Sequence, residues 1–256
     1  MKYRITAFSI HILLSALIFF GCYIVIRYIW YPSIFFFTDG GIDGIKLIAG
    51  IDFIIGPVLT FLVYVPGKKG LKLDLTIIAL LQTACLSVGL YLVEREKPLA
   101  LIIADGIASS INLERMRVSN ISLEGLKQVN GDYPKLIILG VEPTNENISR
   151  LRLESLKGRK IHARSELYVD LRKNLSYLDG QAYSPQTALE KNKEMSKQLQ
   201  EAINKKDLNS NNKKIWLLPY FSKDGLIYLI IQTLPTFELD YLDIPPNLDT
   251  SARSTK

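Results

Sequence analysis

A carboxylate and a helix breaker lie inside an apolar segment that is long enough to cross a membrane. Residues 40–61 read GGIDGIKLIAGIDFIIGPVLTF and include Asp52 and the pair Gly56-Pro57. A charged aspartate at the centre of a helix in hydrocarbon costs about 2.5–3.5 kcal/mol, so we expect Asp52 to be either protonated or paired within a helix bundle. The segment predicts a hydrogen-bonding or binding role for this carboxyl group.

Gln82 is the partner within the chain that we predict for Asp52. The two residues lie at similar depths if their segments are antiparallel helices rising about 1.5 Å per residue. An interhelical hydrogen bond of this kind contributes about 0.6–2 kcal/mol, which offsets only part of the cost of burying Asp52. We therefore expect a second contact, from a helix of another protein. In the alternative reading, a neutral Asp52 bonded to Gln82, or to carbonyls freed by Pro57, only stabilises the bundle.

Two features of this segment affect its backbone. Pro57 removes one backbone donor and clashes with the preceding turn, which predicts a kink near Phe53. Gly50 and Gly56 lack side chains, so we expect them to expose backbone for close approach by another helix.

His11 and Ser15 form a second polar pair in an apolar segment. They are four residues apart, so they share one helix face, and we expect a hydrogen bond between them. No ordered series of ionisable residues crosses the apolar segments, which argues against a pump or transporter.

The polar part of the chain shows no catalytic constellation. His162 is its only histidine, and both cysteines, Cys22 and Cys85, lie in apolar segments. A zinc, disulfide or nucleophilic cluster therefore has no ligands there. Motifs such as GxSxG, HExxH and phosphate-binding glycine loops are absent, and we interpret Asp240 and Asp243 as solvated surface residues. We expect no enzyme activity, no metal and no cofactor.

Hydropathy divides the sequence into a membrane part and a polar part. A spanning helix needs about 20 mostly apolar residues, and three segments qualify, at approximately 5–30, 44–65 and 73–93 within residues 1–97. We predict a membrane protein with three N-terminal transmembrane α-helices, followed by a small extracytoplasmic α+β domain at 98–243 and a disordered tail at 244–256.

Charge predicts the orientation of these spans. The loop between the first two spans has Asp39 and Asp43 and no basic residue, whereas five basic residues flank the spans at the other side: Lys2, Arg4, Lys68, Lys69 and Lys72. Basic loops favour the cytoplasm, so we place the N-terminus inside and the C-terminal domain outside. The net charge of +6 has no long basic run interleaved with aromatics, so nucleic-acid binding is not expected.

The polar part predicts a mixture of strands and helices. Residues 99–105 and 135–141 are short apolar runs typical of strands, and 214–233 reads as a hairpin around the turn SKDG, with Pro219 at a sheet edge or bulge. Helices are expected at 122–130 and at 184–206, where Ser184 is a suitable N-cap. The longer helix has a narrow apolar stripe of Leu189, Met195, Leu199 and Ile203.

Six short motifs occur in order through the apolar part: HILLS at 11–15, WYP at 30–32, GG at 40–41, GIDFIIGPVLTFLV at 50–63, GKK at 67–69 and LDLTIIALLQ at 73–82. Together they resemble the type IV pilin accessory protein family, also called fimbrial assembly accessory proteins. The resemblance covers about the first 105 residues and extends only loosely beyond them, through LIIAD at 101–105 and WLLP at 216–219.

The resemblance implies a non-catalytic protein of the bacterial inner membrane with a periplasmic C-terminal domain. Such a protein associates with its cognate type IV pilin subunit in the lipid bilayer and affects pilin stability, pilus assembly or surface display, with other pilus assembly proteins as further partners. As a hypothesis, the pilin membrane helix contacts Asp52, Gly56, Pro57 and Gln82. Nearer the periplasmic side, four further residues are predicted contacts: Trp30, Tyr31, Pro32 and Asp43.

An alternative function is a membrane-anchored periplasmic sensor or regulator. It is disfavoured because the predicted cytoplasmic parts are only the first four residues and the short loop at 67–72, which leave no domain to receive a signal. A membrane enzyme would lack a catalytic constellation.

Overall fold

The computed structural model describes residues 1–142, 144–191, 196–208, 214–223, 225–233 and 236–244. The chain divides into two units, Met1–Lys97 and Pro98–Lys256, which we call the helical unit and the sheet unit.

The helical unit contains three long helical stretches. The first is α1 (Lys2–Ile24), which continues as a π-helix over Val25–Trp30. The short helix α2 (Phe35–Thr38) follows. The second stretch consists of α3 (Gly41–Ala49), a π-helical segment (Gly50–Ile55) and α4 (Gly56–Val63), and the third is α5 (Leu71–Glu96).

All three stretches are long and apolar enough to cross a membrane. Lys2–Trp30, Gly41–Val63 and Leu71–Glu96 have mean hydropathies of 2.3, 1.9 and 2.0. The second and third begin a few residues earlier than the predicted starts at 44 and 73, because Gly40 (φ 95°) and Gly70 (φ 88°) are left-handed residues that end the preceding turns. Leucine and isoleucine side chains cover much of the outside, as a lipid-facing surface requires.

The α4 helix packs against both α1 and α5. Edge-to-face ring contacts hold the first two stretches together, with centroids 6.0 Å apart for Phe8 and Phe61 and 5.2 Å apart for Phe19 and Phe53. Near the start of α1, Arg4 Nε donates to the carbonyl oxygen of Tyr64 at 3.0 Å. The first two stretches therefore run in opposite directions.

The sheet unit is a small α/β fold around one mixed seven-stranded sheet, with strand order β4-β3-β1-β2-β5-β6-β7. The strands are β1 (Ala100–Ala104), β2 (Ile107–Ile111), β3 (Lys135–Leu139), β4 (Tyr168–Asp170), β5 (Ile215–Phe221), β6 (Leu226–Gln232) and β7 (Glu238–Leu242). The pairs β1/β3 and β2/β5 are parallel and the other neighbours are antiparallel.

Five described α-helices accompany the sheet: α6 (Leu113–Ser119), α7 (Leu123–Lys127), α8 (Asn145–Leu156), α9 (Pro185–Lys191) and α10 (Ser196–Lys205). Short 3₁₀ turns lie at Ile161–Ala163, Ser165–Leu167, Leu171–Lys173 and Leu175–Leu178. One apolar core lies around β1, β3, α6 and α7, and another around β5, β6, α9 and α10. Leu199 and Ile203 of the predicted stripe are fully buried in the second core.

The expected strands and helices of the sheet unit are present, as β1, β3, the β5–β6 hairpin, α7, α9 and α10. The strands β2, β4 and β7 and the helices α6 and α8 were not expected. Met195 of the predicted stripe, Asp224 of the predicted turn and the predicted tail from residue 245 onward lie outside the described residues.

The expectation that Pro219 marks a sheet edge or bulge is wrong, because β5 lies between β2 and β6 and its pairing with β6 continues without an extra residue through Pro219. The Leu217 N–H points away from β6 and donates to Tyr183 O at 2.8 Å. Pro219 is two residues later and faces the same side. Pairing with β2 begins only at Tyr220, so the missing N–H of Pro219 removes no hydrogen bond from that ladder.

Candidate functional site

A groove runs between α1 and α5 in the helical unit, and we call it the α1/α5 groove. Its walls are the α1 residues from Tyr3 to Ile18 and the α5 residues from Leu75 to Leu86 that face each other, and its volume is about 450 Å³. Because α4 packs between these two helices, it supplies the floor, with Thr60 and Tyr64. Asp52 also lines the groove. The site is mostly apolar, with a few polar groups, as ligand sites usually are.

A hydrogen bond across the groove floor joins α1 to α4. The His11 Nδ1 atom lies 2.7 Å from Thr60 Oγ1, and Thr60 is 5% exposed. The expected pairing of His11 with Ser15 is therefore wrong. His11 reaches across to the neighbouring helix, whereas Ser15 is buried on its own helix and lines the groove. A bond between two helices stabilises their packing more than a bond within one helix does.

Gly56 allows two side chains to meet at the floor of the groove. A Cβ atom added at Gly56 would lie 1.8 Å from Gln82 Nε2 and 2.9 Å from His11 Nε2. Side chains of the same chain therefore occupy the space beside Gly56. They cover the backbone that we expected to be open to a second protein. Gly50, in contrast, is the open position, since a Cβ there meets no heavy atom of the described residues outside its own helix within 4 Å.

Asp52 is buried at 4% exposure and belongs to the π-helical segment Gly50–Ile55. Within the described part of the chain, its Oδ2 atom has no hydrogen-bond partner. The predicted bond from Gln82 is not formed, because the Gln82 amide lies against Gly56 instead. A buried carboxyl oxygen without a partner loses the free energy of its hydration, so this atom is an unused hydrogen-bonding position in the groove.

The π-helical segment occupies the place where the sequence predicted a kink. The Gly56 N–H donates to Ile51 O, five residues earlier. The next donor in this register would be Pro57, which has no N–H, so the register leaves the Asp52 carbonyl without its donor. Pro57 itself is buried. Segments of this kind often occur at functional sites, and here the segment carries Asp52 into the bundle.

The remaining predicted contacts lie at the opposite end of the helical unit from Arg4. Tyr31 is 1% exposed, and its hydroxyl donates to Val93 O at 2.7 Å, so it joins the first stretch to α5. Trp30 and Pro32 are half-buried. Asp43 is exposed and lies 3.7 Å from Lys46. Tyr31 therefore has a structural contact, whereas Asp43 is accessible to a partner.

Burial or pairing shifts the pKa of two titratable residues of the sheet unit, His162 and Arg152. Burial and, to a smaller extent, Lys160 lower the pKa of His162. Arg152 binds Asp105 through two nitrogens, at 2.8 and 2.7 Å, and this hydrogen bonding raises the pKa of Arg152. Over the described ranges, no group of three histidine, cysteine or acidic side chains could hold a metal ion.

Sequence reasoning did not identify Thr60 and Thr83, which also line the groove. Thr60 lies four residues after Gly56, on the same helix face, and this spacing was the available signal. Thr83 Oγ1 donates to its own helix at Ala79 O, at 2.9 Å, and therefore offers the groove an acceptor and a methyl group.

A partial relative is known for this chain. The "Fimbrial assembly protein, serogroup E1" of Dichelobacter nodosus is 31% identical over 96 residues, which are 37% of this chain and 37% of that protein. The chain thus matches little more than a third of the length of this relative. No protein-family model matches the chain, and no solved structure matches it.

Proposed function

We propose that this chain is a non-catalytic accessory protein of pilus assembly that lies in a bacterial inner membrane and associates with a pilin subunit. The observation that carries the proposal is the Asp52 Oδ2 atom, which is buried at the groove floor with no partner among the described residues. The partial similarity to a fimbrial assembly protein supports the same process. A carboxyl group in such a position is suited to holding another helix.

Membrane placement is supported by the length and hydropathy of the three helical stretches. Arg4 and Tyr64 meet at the end that carries the basic loop 66–72, and basic loops favour the cytoplasm. The N-terminus is accordingly cytoplasmic in this proposal, and the sheet unit is periplasmic.

The proposed mode of action is binding and holding. The helical unit binds the membrane helix of pilin before assembly, while the sheet unit contacts the periplasmic part of the same subunit. No catalytic step is assigned, because His11 and Thr60 are engaged with each other and connect two helices. The consequence for the cell is a change in the stability of pilin, in its assembly or in its display on the surface.

Co-purification tests the proposal. An epitope-tagged full-length chain is solubilised in mild detergent from cells that also express a type IV pilin from the same bacterium, and pilin is quantified in the eluate. We expect pilin to be retained, and we expect deletion of the chain to change pilin abundance or the number of surface pili. Absence of pilin from the eluate, together with unchanged piliation in the deletion strain, would overturn the proposed function.

Reporter fusions test the orientation separately. Alkaline phosphatase fused after residue 244 should be active, because this enzyme requires an oxidising compartment, whereas a fusion in the loop at 66–70 should be inactive. The reverse pattern would place the sheet unit in the cytoplasm and contradict the proposed contact with the periplasmic part of pilin.

A further inference from the structure

The α1/α5 groove has the dimensions of a helix-binding site. Its α1 wall extends from Tyr3 to Ile18, which at about 1.5 Å per residue is about 22 Å. Its α5 wall, from Leu75 to Leu86, is about 16 Å long by the same rule. The hydrocarbon core is about 30 Å thick, so the groove follows roughly half to three-quarters of a spanning helix. Ile10 and Leu14 line it and are 63% and 57% exposed, so the groove opens to the surface.

Small side chains in the walls allow another backbone to approach closely. Ala7 lies on the α1 wall and Ala79 on the α5 wall, and both line the groove. Helix interfaces in membranes are enriched in small residues of this kind, since lipid tails provide no hydrophobic drive for association and close packing must supply it. The groove volume of about 450 Å³ accommodates one side of a helix with its side chains, not a complete helix.

Four polar side chains that line the groove have hydrogen-bond partners among the described residues. Thr6 Oγ1 donates to Lys2 O at 3.1 Å, Thr83 Oγ1 donates to Ala79 O, and His11 bonds to Thr60. The Asp52 Oδ2 acceptor differs from these, since it has no partner in the described ranges although the residue is 96% buried. The complementary group is an N–H or O–H donor that arrives from outside the chain.

A lipid chain would fill the apolar part of the groove but would bring no donor to Asp52. A side chain on a neighbouring helix supplies both the apolar surface and the donor. Interhelical hydrogen bonds of this kind are the common polar contacts between helices in a membrane. The unpaired acceptor therefore favours a helix over a lipid as the occupant.

We propose that the α1/α5 groove binds one membrane-spanning helix of a partner, which packs against Ala7 and Ala79 and donates a side-chain N–H or O–H to Asp52. This inference rests on the proposed function, in which the partner is a pilin subunit. The partner helix in this proposal does not contact Gly56 or Pro57, because both residues are buried and neither lines the groove. Asp52 and Gln82, in contrast, both line the groove.

A matched pair of tryptophan substitutions on α5 tests the groove. Ala79 lines the groove, whereas Ala84 is an exposed residue of the same helix that does not line it. The full-length variants Ala79→Trp and Ala84→Trp are expressed with pilin, and the pilin retained per molecule after detergent purification is compared with wild type. Filling a packed site costs about 1–3 kcal/mol, so Ala79→Trp should retain at least about fivefold less pilin, whereas Ala84→Trp should match wild type.

A second pair of substitutions, on α1, is used in case a tryptophan variant does not fold. Ala7→Phe narrows the groove from the α1 wall, and Ala16→Phe places the same ring outside it. Thermal unfolding of all four variants in detergent identifies any that do not fold. If one variant of a pair does not fold, the comparison relies on the other pair. If folded Ala79→Trp and Ala7→Phe retain pilin at wild-type levels, the partner helix does not bind in the α1/α5 groove. That result would leave the proposed function intact. A wild-type chain that retains no pilin would instead overturn the proposed function.

The donor contact has its own test. Asp52→Leu removes the acceptor, whereas Asp52→Asn keeps a carbonyl acceptor of similar shape. An interhelical hydrogen bond of about 0.6–2 kcal/mol corresponds to a loss of about 3- to 30-fold in retained pilin for Asp52→Leu, with a smaller loss for Asp52→Asn. Retention by Asp52→Leu equal to that of wild type would contradict the donor contact.

Discussion

Gly56 is a sensitive position for the packing of the groove floor. A Cβ atom added there would lie 1.8 Å from Gln82 Nε2, 2.5 Å from Gln82 Cδ and 2.9 Å from His11 Nε2. Atoms at such distances must move, and overpacking a well-packed site costs about 1–3 kcal/mol. The Gln82 amide ends a flexible side chain that rotates away at modest cost. We therefore expect Gly56→Ala to lower the free energy of unfolding by about 1 kcal/mol, near the lower end of this range.

Gly50→Ala is the matched control, because it lies six residues earlier in the same helical stretch. An added Cβ there meets no heavy atom of the described residues within 4 Å once its own helix is set aside. Alanine is favoured over glycine in a helix by about 0.5–1 kcal/mol, because glycine loses more conformational freedom on folding. Gly50→Ala should therefore raise the free energy of unfolding, whereas Gly56→Ala should lower it.

A double-mutant cycle identifies the side chain responsible. Gln82→Ala removes the amide that meets the new methyl group, so Gly56→Ala should be tolerated better in that background, with a coupling of about 1 kcal/mol. The measurement is reversible unfolding of the purified full-length protein in detergent micelles, followed by tryptophan fluorescence. Equal effects of Gly56→Ala and Gly50→Ala, or an unchanged penalty after Gln82→Ala, would refute the assigned position of Gln82.

Three further predictions concern stability. In Gly125→Ala, the new Cβ would lie 2.2 Å from Ser165 Cβ, which is fixed to the backbone, so we expect a loss of about 1–3 kcal/mol and a lower midpoint in thermal unfolding; an unchanged midpoint would contradict this contact. Thr60→Val removes the hydroxyl bonded to His11 at 2.7 Å and should cost about 1 kcal/mol in detergent unfolding; a neutral effect would show that the bond contributes nothing. Burial and a neighbouring lysine lower the pKa of His162, so the unfolded chain binds more protons and stability should fall as the pH drops below about 6.5. His162→Gln should remove that component of the pH dependence of thermal unfolding, and an identical profile would argue against it.

Hydropathy predicted the three long helical stretches because apolar residues predominate in them. Their hydrogen-bond registers were not predictable in the same way. Side-chain polarity does not encode whether an N–H reaches four or five residues back, so the π-helical segment around Asp52 appeared in the sequence only as the breaker Pro57. The depth estimate that paired Asp52 with Gln82 assumed a regular α-helix, and the π-helical segment alters which side chains face each other.

Contacts between residues that are distant in the sequence could not be predicted either. His11 and Ser15 share a helix face by spacing, but His11 bonds to Thr60, which is 49 residues away. Local spacing limits which residues can meet on one helix and does not select a partner on another. In the sheet unit, β2 has the sequence IASSI and pairs with two neighbouring strands. Its two serines interrupt the apolar pattern by which other strands were predicted.

Photo-crosslinking in intact cells examines whether the groove holds a pilin helix. A benzophenone amino acid is placed at Leu14, which lines the groove, or at Leu13, which is 74% exposed and does not line it. We expect a discrete adduct with pilin from position 14 and none from position 13. Pilin adducts of equal yield from both positions, or lipid adducts alone at position 14, would contradict the binding of a partner helix in the α1/α5 groove.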